Sequence, residues 1–442
     1  PHCGDAEVAP MRSYAAFEDS RPATAQANDQ RESLVSVFRR LLLEEVNLGE
    51  LSKLDTAQRK VRLERVIAHL VSREGVILST SQRNQLVRRV VDEAVGLGVL
   101  EPILSDPGVS EIMINGYQTI YVERAGRLEL WPSAFSSEDQ LMQSIDRIVS
   151  TVNRRVDESS PMVDARLPPD PRMPRGARVN VVLPPLALNG PTVTIRLFPQ
   201  ALSLETLVEK KSLDLMTARL LRSFVQARLN IIVSGGTGSG KTTLLNALSS
   251  FIDPAERIVT IEDAAELTLD QPHTIRLETR PANVEGGGQV TIRDLVRNSL
   301  RMRPDRIIVG ECRGGEALDM LQAMNTGHEG SLTTVHANSP EDALVRLETL
   351  ASMSDVDMPF QALHDQVNSA IDIIVQLQRT SDGARRVTSV TYVSSRRQES
   401  FRLEPIMEWI HSDDNPHEGD FRTHEMPSGL RARMAASGIS MN

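Results

Sequence analysis

The chain is predicted to be an α/β protein whose principal domain is a parallel sheet with helices on both faces. Strand-like and helix-like runs alternate from Leu215 to Val393, the signature of a doubly covered parallel sheet. A glycine-rich string with a lysine stands between one of those strands and the helix pattern after it. The length of 442 residues, with 40% apolar and 24% charged, supplies material for several hydrophobic cores. Aromatic residues make up only 3%, so the cores are expected to be aliphatic and a base-stacking platform is disfavoured.

Residues 1–29 are small, polar and without a sustained period, and read as a leader. Between 30 and 98 three segments repeat apolar residues at helical spacing: Leu34 to Val46, Thr56 to Ser72 and Ser81 to Leu97. They predict a small all-α domain. From 99 to 199 the texture is α+β. Strands are expected at Ser110 to Asn115, Thr119 to Glu123, Leu128 to Trp131, Arg178 to Leu183 and Thr192 to Leu197, with a helix from Ser137 to Asn153 and a Pro-rich surface loop from Pro161 to Pro174. Residues 200–402 form the α/β domain. Its strands are expected at Asn230 to Ser234, Arg257 to Glu262, Thr274 to Glu278, Arg306 to Val309, Gly330 to Val335, Ile371 to Leu377 and Arg386 to Val393. Residues 403–442, with a charged run around Asp413 to Asp420, read as a weakly packed tail.

The 49 basic and 59 acidic residues give a net charge of −10, which disfavours a surface that wraps nucleic acid or anionic lipid by bulk charge. Cys3 and Cys312 lie far apart, so no zinc site made of cysteines and no disulfide framework is expected. That usage fits a reducing cytosol. No run approaches the roughly 18 to 20 apolar residues of a membrane-spanning helix.

The string Gly235-Gly236-Thr237-Gly238-Ser239-Gly240-Lys241-Thr242-Thr243 satisfies the G-x-x-x-x-G-K-[ST] pattern. Glycines let the backbone wrap with its N–H groups inward, the following helix presents its positive end, and Lys241 adds a point charge for the β- and γ-phosphates. Thr242 is expected to offer its hydroxyl to Mg²⁺. Two acids stand at strand tips, Glu262 and Glu311, with Glu266 one helical turn beyond the first. Either Glu262 or Glu311 suits the orientation of a water, and the other the water-mediated holding of Mg²⁺. The strand ending in Glu262 is of the kind that lies beside a phosphate loop. His328 and His336 bracket a β run, eight residues apart, without the spacing of a compact metal pair. A strand-end His336 would come near the γ-phosphate.

Four ordered blocks together resemble the ATPases of the type II and type IV secretion and pilus superfamily: the phosphate loop, the acidic block Thr260 to Leu267, the block Arg303 to Arg313 and the histidine block Thr326 to Asn338. Arg178-Val179-Asn180, Leu183 to Ala187 and Thr194 to Phe198 are similar to the CpaF group, which serves tight-adherence (Flp) pili.

This resemblance implies a RecA-like P-loop NTPase domain preceded by an α+β (PAS-like) domain and a small N-terminal helical domain. It implies an ATPase using ATP and Mg²⁺, assembled as a homo-hexamer, cytoplasmic and peripheral at the inner membrane through a platform protein. Arg178 and Arg196 match motif arginines that meet the phosphates, with Arg166 a weaker match. Arg293, Arg297 and Arg301 share one helix face and read as a solvated or inter-subunit surface. The scarcity of cysteine sets the chain apart from the zinc-bearing branch. Alternatives are a conjugation or effector-secretion ATPase and, from other classes, a nucleic-acid motor or a nucleotide-gated scaffold.

Overall fold

A computed structural model describes residues 34–46 except 36 and 43, 56–198 except 77, 201–282, 287–380, 383–395, 400–412 and 419–439. The leader expected at 1–29 lies outside the described residues. The chain divides into two compact units at Leu197 and Phe198.

The first unit opens with helical residues within 34–45, then α1 (Thr56–Arg73) and α2 (Thr80–Val95). Leu63, Ile67 and Leu70 recur at helical spacing on α1 and pack with Phe38, Leu42, Val90 and Val91 into a small core of their own. Ser79 caps α2: its hydroxyl accepts from the Gln82 N–H while the Gln82 side chain accepts from the Ser79 N–H, so the helix begins just before the expected Ser81.

Next come α3 (Leu100–Leu104), β1 (Val109–Asn115), β2 (Ile120–Arg124), β3 (Arg127–Leu130), α4 (Glu138–Ser150), β4 (Met162–Leu167), β5 (Ala177–Val182) and β6 (Thr192–Leu197). The six strands form one antiparallel sheet in the order β3-β2-β1-β6-β5-β4. Its inner face, with Ile112, Val179 and Ile195, buries against Leu141, Ile145 and Ile148 of α4. The Pro-rich loop expected over Pro161 to Pro174 is corrected here. Prolines flank Met162–Leu167 without entering it, so the segment keeps its N–H groups and pairs with β5 as an edge strand.

The second unit contains α5 (Leu204–Glu209), α6 (Leu215–Gln226), β7 (Ile231–Gly235), α7 (Lys241–Ser249), β8 (Ile258–Glu262), β9 (Thr274–Glu278), α8 (Ile292–Ser299), β10 (Arg306–Val309), α9 (Glu316–Asn325), β11 (Leu332–Val335), α10 (Pro340–Ser352), α11 (Phe360–Ala370), β12 (Ile373–Arg379) and β13 (Arg385–Val393). It ends with β14 (Leu403–His411), β15 (Gly419–Thr423) and α12 (Ser428–Ala436). The sheet runs β15-β14-β13-β12-β7-β11-β10-β8-β9. From β12 to β9 neighbouring strands are parallel, and β13 to β15 extend the sheet antiparallel. Fully buried strands such as Ile231-Ile232-Val233 contribute to two cores, Ile231 and Val233 to one and Ile232 to the other, as expected for a sheet covered on both faces.

Two expectations change. The strand ending in Glu262 is not beside β7; β11 and β10 stand between them. The weakly packed tail expected from 403 instead forms β14, β15 and α12, with Ile406, Met407, Leu430 and Met434 in the core; residues 413–418 lie outside the described set. Ile406 and Met407 are buried side by side in β14, where its pairing with β13 shifts register between Val390 and Thr391.

A polar knot fixes α12 to the root of β7. Asn230 donates its backbone N–H to the Asp372 carboxylate at 2.9 Å and its side-chain amide to the Ala370 carbonyl at 2.7 Å, and its Oδ1 accepts the Gly330 and Ser331 N–H groups. Arg433 of α12 pairs with Asp372. Burial pushes the Asp372 carboxyl up to about 6, against the lowering influence of Arg433.

Candidate functional site

The phosphate loop joins β7 to α7. Gly238 (φ +69) and Gly240 (φ +97) take the left-handed conformation that favours glycine, and Gly240 is the N-cap of α7. A Cβ on Gly235 would lie 2.6 Å from the Leu377 carbonyl oxygen and 2.6 Å from Ser239 Oγ, so only glycine lets β12 and the loop approach this closely. The Ser239 hydroxyl is buried and donates to the Gly236 carbonyl at 2.9 Å, while Thr237 and Gly238 are exposed at the crest. Lys241 Nζ donates to the carbonyls of Gly235 and Gly236 at 2.9 and 3.0 Å. Burial lowers the pKa of Lys241, the Glu311 carboxylate opposes that shift, and Arg313 adds to it.

The parallel register brings other candidates to the same sheet end. Val335 lies level with Ser234, so exposed His336 follows β11 directly beside the strand that leads into the loop. Glu311 stands just past β10, and its Oε2 accepts from Arg313 Nε and Nη2 at 2.8 and 2.6 Å. Arg313 also reaches Asp263 at 3.3 Å. Of the two strand-tip acids, Glu311 is the one whose field is felt at Lys241.

Glu262 has a different setting. It is 3% exposed; its Oε2 accepts the N–H groups of Glu266 and Leu267, each at 2.9 Å, and its Oε1 is buried without a hydrogen-bond partner among the described residues. Burial pushes its carboxyl up to about 7, against those two N–H bonds. A Cβ on Gly310 would sit 3.0 Å from Glu262 Cγ, so glycine there gives the carboxylate its room. Glu266 contributes its backbone to this arrangement.

His328 is at the opposite end of β11, its Nδ1 against the Pro304 carbonyl at 2.9 Å, which makes it a packing residue. Arg293 and Arg297 both hold Asp319 through Nε at 2.9 Å, an intramolecular clamp between α8 and α9, while Arg297 stays exposed on the helix surface. Arg301 is exposed.

The motif arginines belong to the first unit. Arg166, Arg178 and Arg196 are cross-strand partners in one row across β4, β5 and β6, and Glu111 of β1 continues it. All of them sit on the face opposite the core residues Val179 and Ile195, as strand alternation dictates. Arg178 donates from Nε to Asp164 at 3.1 Å. Asp164 was not among the sequence candidates; its position two residues before Arg166 on an unrecognised strand concealed it.

A family profile described as "Type II/IV secretion system protein" matches residues 93–406. The chain belongs to that family. Among members it is 38% identical over 351 residues to a Mycobacterium tuberculosis protein named for conjugal transfer, covering 79% of this chain and 97% of the relative. It is 34% identical over 305 residues to conjugal transfer protein TrbB of Rhizobium radiobacter, covering 68% and 88%. Type IV secretion system protein PtlH of Bordetella pertussis is 36% identical over 319 residues, covering 66% and 91%. The solved pilus retraction motor PilT with bound ADP superposes with a TM-score of 0.51 at 22% identity, covering 66% of this chain and 81% of that one, a likeness of fold. The fold class is accordingly a RecA-like P-loop NTPase domain preceded by an α+β domain and a small N-terminal helical domain. No helix among the described residues is long and apolar enough to cross a membrane.

Proposed function

We propose that the protein is an ATPase that powers assembly of a type IV (Flp, tight-adherence) pilus or secretion across the inner membrane, working as a cytoplasmic homo-hexamer held at the membrane by a platform protein. The observation that carries the enzymatic part is the phosphate loop folded around Lys241, whose Nζ is held by the Gly235 and Gly236 carbonyls, with Glu311 close enough for its charge to act on that lysine. The pilus assignment rests on the CpaF-like blocks around Arg178, Leu183 and Thr194. Conjugation is the second reading, favoured by relatives named for conjugal transfer.

In this reading the loop from Gly235 to Thr243 wraps the phosphates of ATP, and Lys241 exchanges its two carbonyl partners for phosphate oxygens. Glu311 orients the attacking water. Glu262, buried and doubly bonded to its own loop, holds the 262–267 segment in place. His336 senses the terminal phosphate from the end of β11, and Arg178 and Arg196 neutralise charge on the departing phosphoryl group. Among the described residues no cluster of three His, Cys, Asp or Glu forms a metal cage. Mg²⁺ takes hard oxygen donors and few protein ligands beside substrate phosphates, and the chemistry of this donor set suits it: Thr242 would supply a hydroxyl and Glu311 a carboxylate, partly through water. When bound, Mg²⁺ supplies charge neutralisation at the phosphates.

Phosphate release from ATP by the full chain tests the proposal. Lys241→Ala and Glu311→Gln should each lower turnover at least about a hundredfold while circular dichroism stays native. Undiminished hydrolysis in Lys241→Ala would overturn the assignment, and binding without turnover in the wild type would leave a nucleotide-gated scaffold.

A further inference from the structure

The phosphate loop is also gripped by a hairpin that is distant in sequence but adjacent in the sheet. Arg379 closes β12 and Arg385 opens β13; the two are cross-strand partners, with Thr380 N donating to the Ala384 carbonyl at 2.9 Å just beyond them. Leu377 of β12 lies level with Gly235, so the following residues of β12 run alongside the loop. There Arg385 Nε donates to the Gly238 carbonyl at 2.9 Å. A Cβ on Gly238 would be 3.8 Å from Arg379 Nη1, and one on Gly240 would be 3.5 Å from Arg385 Cδ. Both arginines are exposed, and neither is paired with an acid among the described residues.

The bond to Gly238 has a mechanical effect. Gly236 to Ser239 is a tight turn whose third residue, Gly238, carries the positive φ, and its carbonyl is one side of a rigid peptide plane. A cationic donor on that oxygen keeps the plane from rotating and so fixes the crest of the loop. Arg379 brings a permanent positive charge to the same crest, where a polyphosphate would lie.

We propose that the β12–β13 hairpin is a clasp on the phosphate loop: Arg385 is a positioning residue that holds the loop through the Gly238 carbonyl, and Arg379 is an additional contact for the nucleotide polyphosphate. This rests on the nucleotide reading of the loop. The clasp acts on affinity for ADP as much as for ATP, because it touches the loop and not the reacting phosphorus.

The test uses the full chain, Mg²⁺ and a fluorescent ADP followed by anisotropy, with ATP hydrolysis measured in parallel. Arg379→Ala should weaken ADP binding about tenfold, a loss that shrinks in high salt as an exposed charge contact requires. Arg385→Ala should raise the ADP Kd and the ATP KM about tenfold with kcat changed less than about threefold, and Arg385→Lys should recover part of the affinity. Unchanged ADP affinity in both alanine variants would overturn the proposal, as would a loss confined to kcat. Failure of the wild-type chain to bind the fluorescent ADP would instead overturn the nucleotide reading beneath it.

Discussion

Glu262 has a carboxyl raised from 4.5 to about 7 by burial, so the folded chain holds a proton that the unfolded chain releases earlier. The stability tied to that proton is complete below the unfolded value and is lost as pH rises through about 7. Glu262→Gln keeps the shape without the charge. It should therefore be more stable than wild type near pH 8, by about 2 to 3 kcal/mol, with the gap closing by about pH 5. Urea unfolding at the two pH values measures this, and equal midpoints near pH 8 would contradict the buried setting. At this scale the sequence was legible where chemistry is contiguous: Lys241, its glycines and Thr242 are neighbours in the chain. The different settings of Glu262 and Glu311 were not legible, because they depend on which strand tip pairs with Arg313 and which is enclosed by its own loop.

Elements that a sequence marks by uninterrupted apolar runs, such as β7 and β10, were placed within about two residues. β4 was concealed by flanking prolines, and β14, β15 and α12 by the charged run beside them. These late elements are part of the core. Leu430 is fully buried, and Arg433 of the same helix pairs with buried Asp372 at the root of β7. Leu430→Ala should cost about 2 to 4 kcal/mol of stability in urea unfolding of the full chain. An unchanged midpoint would show that α12 does not pack as described. The hairpin arginines escaped notice for a related reason. Arg385 is 147 residues from Gly238, and no local pattern links a strand end to a distant carbonyl.

At the scale of the whole molecule, the phosphate loop and the arginine row belong to different compact units, joined in sequence at Leu197 and Phe198. If both serve one reaction, their losses should differ in kind. Arg196→Ala should reduce kcat at least about tenfold with a smaller change in ADP affinity, because in the proposed reading its charge would act on the departing phosphoryl group. Sedimentation of the same variant should still show the six-chain assembly proposed for the wild type. An unaltered kcat would remove the row from the chemistry.

The row has a further consequence. Three arginines stand side by side across β4, β5 and β6, with Asp164 paired to Arg178 and Glu111 beside Arg196 as acids of the same face. An anion reaching that outer face would meet a local concentration of positive charge that the chain's net charge conceals. For this protein, occupancy and folding would then be two readings of one equilibrium, with phosphate-rich solutes firming the sheet and their removal loosening it.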